Sequence, residues 1–273
     1  METFSYRKYK SRKQWRRIWP SLLMVPLLIF SAWIVEFDMR VFEQKNIRIL
    51  RLLSDFLYPA WEILPDMLIA ASKTVLLAIL GTVFGSILSF IFAVYAADNL
   101  SPRWANNISR ILIALERSIS EVLIILVLIV IFGLGMFPGV VAIAISCIGM
   151  LGKLYADAME EIPESTIQGL RSVGATRLQV ILFGVIPEIA TSLITNTILR
   201  FEINIRTSVL LGAIGAGGIG YELVKAYNYL AYSEMAVAIL TILALVFASE
   251  QLSDYWRKSV DGKETFRNAS GEF

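Results

Sequence analysis

The sequence predicts an all-α integral membrane protein of about six transmembrane helices, and three observations carry that prediction. Hydrophobic residues make up 56% of the 273 positions and charged residues only 18%, a balance too apolar for a soluble domain of this length. The apolar residues gather into runs long enough to cross a bilayer at about 1.5 Å of rise per helical residue. Between the runs lie polar interruptions, the sharpest from Pro163 to Val185, followed by Ile186 and Pro187.

Composition also narrows the chemistry. There is no histidine, so the usual general base, metal ligand and pH switch is missing, which counts against a zinc protease or a histidine-dependent enzyme. The single cysteine, Cys147, lies inside an apolar run and leaves no intrachain disulfide. Net charge is only +2, but seven of the 25 basic residues fall between Arg7 and Arg17. A basic head before the apolar run Ile18 to Val35 reads as a signal peptide or a cytoplasmic anchor. The run lacks a small-residue cleavage pattern, so an uncleaved anchor is expected.

The first span is expected at about Trp19 to Val35, with Trp19 and Trp33 at the interfaces, Pro20 in the first turn and the N-terminus in the cytoplasm. Glu36 to Lys73 would then be external and hold an interfacial helix, because Leu50, Leu53, Phe56 and Leu57 recur at helical spacing. Thr74 to Ala97, 24 residues without a charge, forms the second span, and Asp98 to Arg117 returns inside. The third span runs from Ser118 to Phe137. It contains Glu121, and a carboxylate at that depth must face protein, water or a basic partner. Gly133 to Gly139 makes an external turn, and the fourth span runs from Gly139 to Tyr155. The fifth, Pro187 to Ile205, carries Glu188, Arg200, Glu202 and Asn204, with Arg206 at its end; the sixth is Glu234 to Leu252. The tail from Ser253 is polar with four basic residues, and both termini are expected in the cytoplasm.

The polar stretch reads as two short helices broken at a glycine. Ser165 with Gln168, and Thr176 with Gln179, have capping-box spacing, and Gly174 stands where a left-handed residue would end the first helix. Ile167, Leu170 and Val173 share one face. A helix of about two turns does not stand alone in water, so that face must dock on something. The other reading of this stretch is an amphipathic linker lying on the bilayer.

A second informative stretch is Arg200 to Gly220. Gly215, Gly217 and Gly220 satisfy GxGxxG, but a dinucleotide site needs a βαβ unit around it, and here the neighbours are membrane spans. Five glycines in the nine residues Gly212 to Gly220 instead permit close helix approach and positive φ, as at a symmetry axis or gate.

The first stretch resembles the cytoplasmic "EAA" loop of bacterial ABC importer permeases, which runs Glu-Ala-Ala, three residues, Gly, nine residues, then Ile-x-Leu-Pro. Gln168, Gly169 and Leu170 stand in the Glu-Ala-Ala positions, Gly174 in the Gly position, and Gly184, Ile186 and Pro187 in the Ile, Leu and Pro positions. The second stretch resembles the phosphonate, phosphite and hypophosphite group of those permeases: Glu202-x-Asn204-x-Arg206, then Gly215 to Gly220, with Glu121, Gly133-Leu-Gly135 and Gly152-Lys153-Leu154 also in place. The likeness covers about Thr74 to Lys258. It implies a type I ABC importer permease fold with a core over 74–258 and a coupling loop over 160–180; the anchor and external segment over 1–73 and the tail over 259–273 lie outside the likeness.

It implies also a second permease copy, most simply a homodimer, in the bacterial inner membrane. A cytoplasmic ABC ATPase dimer would bind ATP and Mg, a periplasmic substrate-binding protein would deliver the oxyanion, and membrane lipid would surround the pore. The chain would hold no cofactor or metal, hydrolyse nothing, and bind no nucleic acid. Coupling to the ATPase is expected from Ser165, Ile167, Gln168, Gly169, Leu170, Arg171, Val173, Gly174, Arg177 and Pro187. The translocation path or gate is expected from Glu121, Arg200, Glu202, Asn204, Arg206, Gly215, Gly217, Gly218 and Gly220. Two roles fit the charges: Arg206, with Arg200, attracts an anion while Glu202 restrains it at i,i+4, or these residues form a structural ion network. Two other functions stand beside the main one, a permease for another solute such as an amino acid, and a membrane-embedded lipid-headgroup transferase using Asp157, Glu160, Glu161 and Glu164.

Overall fold

The computed structural model describes residues 24–35, 54 and 56–270, the last ten in backbone only. Among these every regular element is helical. The basic head, Trp19, Pro20, the Leu50 to Leu53 part of the interfacial helix and the end of the tail lie outside the described residues. The chain divides into two units, Met1–Ser54 and Asp55–Phe273. In the first, α1 (Met24–Ile34) is apolar and exposed, with Phe30 stacked on Trp33 at 6.4 Å.

The second unit comprises α2 (Leu64–Ala96), α3 (Arg103–Ser118), α4 (Glu121–Phe132), α5 (Met136–Glu160), α6 (Glu164–Ser172), α7 (Arg177–Val180), α8 (Ile186–Leu211), α9 (Ile219–Asn228) and α10 (Tyr232–Ser270). A π turn, Ile181–Val185, joins α7 to α8, and another, Gly212–Ala216, ends α8. Four stretches among the described residues are long and apolar enough to cross a membrane: Trp61–Ala96, Met136–Glu160, Arg177–Ala216 and Tyr232–Val260. They contain the expected second, fourth, fifth and sixth spans, each longer than expected because charge-free runs understate helices whose polar residues find protein partners.

Two expectations are corrected. The second span begins at Leu64 rather than Thr74: Pro65 opens the helix in its first turn, and Asp66 and Lys73 line a polar groove shared with Glu222 and Glu234 instead of an external loop. The third span is not one helix from Ser118 to Phe137. The segment expected as an internal loop is α3, which runs antiparallel along α5, with Asn106 Nδ2 donating to Ala96 O at 2.5 Å and Ile113 packed on Gly152. The chain breaks at Ile119–Ser120 and continues as the twelve-residue apolar α4. Ala105, Asn106 and Ser109, with Ile113, form the buried face of α3 while Ile108, Ile111 and Leu115 point outward, largely the reverse of a soluble amphipathic helix.

The tightest seam lies between α2 and α5, which run parallel. Gly81 faces Ile143, Gly85 faces Cys147, and Gly152 lies 3.8 Å from Ser89 O when given a Cβ. Gly81, Gly85 and Ser89 recur every four residues, the small-xxx-small spacing that lets backbones approach in an apolar solvent where hydrophobic burial gives no drive. A Cβ at Gly85 would stand 2.5 Å from Cys147 Cβ. Gly85→Ile is therefore expected to cost about 1–3 kcal/mol by overpacking. Val83→Ile, on the exposed face of the same helix, should stay within about 0.5 kcal/mol. Unfolding of both variants in mixed micelles measures the difference.

Candidate functional site

At one end of the bundle, the loop end, α6 is opened by Pro163 in extended conformation, so Ser165 falls inside the helix and the expected Ser165–Gln168 box is not formed. Gln168 Nε2 donates instead to Glu164 Oε1 at 3.0 Å. The Thr176–Gln179 box is formed: Thr176 N donates to Gln179 Oε1 at 2.8 Å and Gln179 N to Thr176 Oγ1 at 3.4 Å. Gly174, at φ +86°, makes the left-handed stop, and Ala175 N donates back to Leu170 O at 3.1 Å.

The apolar face of this loop does not stay together. Ile167 is 2% exposed, in one cluster with Ile162, Val180 and Val185 of its own chain. Leu170 is half-buried and lies over Gly184, where a Cβ would meet Leu170 Cδ1 at 2.5 Å. Val173 is 81% exposed, because α6 ends at Ser172 and the next residue leaves the helical face. Burial of Ile167, about 1.5–3 kcal/mol, thus docks α6 on this chain. Its outward surface is Ser165, Gln168, Gly169, Arg171 and Val173, all exposed. Arg177 turns away from that surface: its Nη2 donates to Ser101 Oγ at 2.7 Å, and its guanidinium carbon lies 5.5 Å from the Tyr95 ring centroid. Pro187 opens α8 and is exposed. The acids of the transferase reading do not converge. Asp157 pairs with Lys153, Glu160 with Arg110 at 2.5 Å, and Glu164 with Gln168.

About half-way along α5, α8 crosses antiparallel and carries two polar faces. One looks inward: Arg200 Nη2 lies 2.7 Å from Glu121 Oε1 and donates to Ser146 Oγ at 2.6 Å, while Ser146 also donates to Glu121. A turn later Asn204 Nδ2 donates to Thr82 Oγ1 at 2.8 Å and to Cys147 Sγ at 3.3 Å. Arg200 and Glu121 are thus in contact, with Asn204 one turn along, and α2, α4, α5 and α8 all contribute. The other face of α8 holds Glu202, which pairs with Arg206 at i,i+4 and with Arg257 Nη2 at 3.4 Å; Arg257 also pairs with Asp254 at 2.5 Å. Arg206 keeps half its side chain exposed, whereas Arg200 is buried. Ser146, Thr82, Arg257 and Asp254 were not singled out from sequence, although Ser146-Cys147 interrupting an apolar run is a signal that could have found them.

The glycine segment lies at the opposite end. Gly215, Gly217 and Gly218 all have positive φ, and Gly215 O accepts from Gly135 N at 3.1 Å. Gly218 abuts Thr74, whose Oγ1 accepts from Ile219 N at 2.9 Å, and Gly220 abuts Val209 O, so no side chain fits at either. Back at the loop end, Glu161, Glu188, Ser192 and Asn196 line an open groove of about 470 Å³ between the end of α5 and the start of α8.

Residues 85–262 match the family described as the binding-protein-dependent transport system inner membrane component. The chain belongs to this family. It is 34% identical to the phosphite transport system permease protein PtxC of Stutzerimonas stutzeri, over 68% of each chain. It is 29% identical to the putative phosphite transport system permease protein HtxC of the same organism, over 87% of this chain and 84% of that one. With the phosphate-import permease protein PhnE of Mycolicibacterium smegmatis it shares 33% identity over 82% of this chain and 42% of that one. An inward-facing structure of the MetNI methionine ABC transporter matches with a TM-score of 0.60 at 19% identity, covering 71% of this chain and 95% of that chain. The fold is that of type I ABC importer permeases, and the chain is an inner-membrane component of such a system.

In this permease Arg200 is buried and its partner Glu121 partly buried among apolar helices, where a lone charge is expensive. Removing one partner of a buried pair typically costs about 3–5 kcal/mol, while replacing both by apolar groups is often neutral. Arg200→Met alone is expected to destabilise by that amount. The double variant Arg200→Met with Glu121→Leu should recover most of it, as read by unfolding in micelles.

Proposed function

We propose that this chain is the pore-forming permease of an ATP-driven importer for phosphite, hypophosphite or a phosphonate. The termini would lie in the cytoplasm and a second copy would complete the pore. ATP and Mg are assigned to a cytoplasmic ATPase pair, and substrate delivery to a periplasmic binding protein; the chain itself breaks no bond. The phosphite permeases among its relatives support the anion class.

One observation carries the mechanism. α6 is docked through Ile167 and Leu170 onto α7 and the π turn, and that turn runs without interruption into α8, which bears Arg200, Asn204 and Arg206. A push on the exposed surface of α6 by closing ATPase subunits is therefore delivered to the helix that carries the polar residues. The result is a two-state rocking that couples the two sites. Glu202, itself paired with Arg257, holds Arg206 from one side, so its half-exposed guanidinium presents fixed positive potential to an anion passing along α8.

The test is ATP hydrolysis and uptake in proteoliposomes containing this chain, its ATPase and its binding protein, with phosphite, hypophosphite and methylphosphonate compared. Leu170→Glu, which breaks the α6 contact, is expected to abolish substrate-stimulated hydrolysis while the complex still assembles. Arg206→Gln is expected to lower transport efficiency by roughly 10- to 100-fold, the worth of one charge-assisted hydrogen bond. Unchanged transport in Arg206→Gln would leave it a structural ion-network residue.

A further inference from the structure

Arg177 is better placed for a ligand on the outer face of the bundle than for an ATPase. Beside it, an open apolar groove of about 390 Å³ is lined by Phe90, Ile91, Val94 and Tyr95 of α2 and by Leu178 and Ile181 of α7 and the π turn, with Arg177 at its lip. Ile91, Tyr95 and Leu178 stay largely exposed. The groove sits at the loop end of two spans, Trp61–Ala96 and Arg177–Ala216. Exposed Trp104 stands at the start of α3, close in sequence to Ser101. Aromatic and basic side chains at such a level mark the boundary between hydrocarbon and headgroups.

The guanidinium is fixed but not neutralised. Ser101 Oγ takes one of its five N–H donors and the Tyr95 ring supports its face. Among the described residues no carboxylate comes within the 4.0 Å of an ion pair, although Arg110, Arg200, Arg206 and Arg257 all have one. An oriented cation with spare donors, above an apolar slot that opens toward the bilayer, has the chemistry of a phosphate headgroup with its acyl chain. We propose that this groove binds an anionic phospholipid, with its phosphate on Arg177 and a chain along Val94, Leu178 and Ile181. One wall belongs to α2 and the other to the segment that leads from α6 into α8, so the bound chain braces the coupling segment against the bundle. The site rests on the reading that these helices cross the membrane; with the proposed orientation it takes lipid from the cytoplasmic leaflet.

Native mass spectrometry of the purified full-length chain, titrated with equal amounts of dioleoylphosphatidylglycerol and dioleoylphosphatidylcholine, tests this. One basic contact with anionic lipid corresponds to a preference of about fivefold, so retention of phosphatidylglycerol is expected at five- to tenfold over phosphatidylcholine. Arg177→Gln should reduce the preference to under twofold, and Arg177→Lys should keep part of it. Val94→Trp, which fills the slot, should lose the lipid with the arginine intact, while Lys225→Gln at the far end should change nothing. Equal retention of both lipids by the unaltered chain, as when a second copy covers the groove, would overturn the proposal. So would an undiminished preference in Arg177→Gln, or displacement of the lipid by millimolar inorganic phosphate, which would make this a free-anion site. The assay contains no ATPase and no transported substrate, so its failure is separate from a failure of the importer reading.

Discussion

A charged side chain inside an apolar bundle must bring its partners with it, and much of this structure follows from that requirement at Arg200. Its guanidinium sits on α8 and reaches Glu121 on α4 and Ser146 on α5 through Nη2. Glu121 can stand there because α4 starts at that residue, which places the break of the third span at Ile119–Ser120. The preceding helix can approach because Gly149 and Gly152 leave room for Glu116 and Ile113. One turn along α8, Asn204 reaches Thr82 and Cys147 across the seam that Gly81 and Gly85 keep narrow. The small residues of α2 and α5 are thus the condition under which four helices share a polar centre.

The same physics explains what the sequence made legible. Long apolar runs made four spans legible, because an unbroken apolar run of that length carries its backbone through hydrocarbon as a helix. Their ends were not legible, since helices continue wherever polar residues find partners, as Asp66 and Lys73 do in the groove with Glu222 and Glu234. α3 was missed because its helical pattern is largely inverted: Asn106 and Ser109 face protein beside Ile113 while Ile108 and Ile111 face out, so a charge count reads it as a loop. Gly174 and the Thr176–Gln179 box were readable because turns and caps depend on near neighbours in the chain. The Ser165 cap failed for an equally local reason, Pro163 starting the helix two residues early.

At the polar centre, i,i+4 spacing gave the Glu202–Arg206 pair, but neither its environment nor the Arg200–Glu121 pair. Glu202 and Arg206 are four apart, as are Arg200 and Asn204, yet the two sets lie on different faces of α8. Glu202 is as buried as Arg200, and only Arg206 keeps half its side chain exposed, while Arg257, far away in sequence, decides how Glu202 is held. The apolar triplet of α6 shows the same limit. Periodicity placed Ile167, Leu170 and Val173 together, while the chain spends Ile167 on its own core and leaves Val173 outside.

The division of α6 matters for how motion would travel in the proposed importer. If the whole apolar face had pointed outward, α6 would be a separate knob gripped by its partner and only loosely tied to the pore. With Ile167 and Leu170 committed inward, α6, α7 and α8 move as one body, and the opposite end of α8 must absorb the displacement. That end is the π turn Gly212–Ala216 followed by Gly217 and Gly218, backbone with few side chains to repack. It is not slack: Thr74 caps α9, Gly215 is bonded to Gly135, and Gly220 lies against Val209. A lever docked at one end and a close-fitted glycine hinge at the other make two discrete packings more accessible than continuous deformation, as alternating access requires.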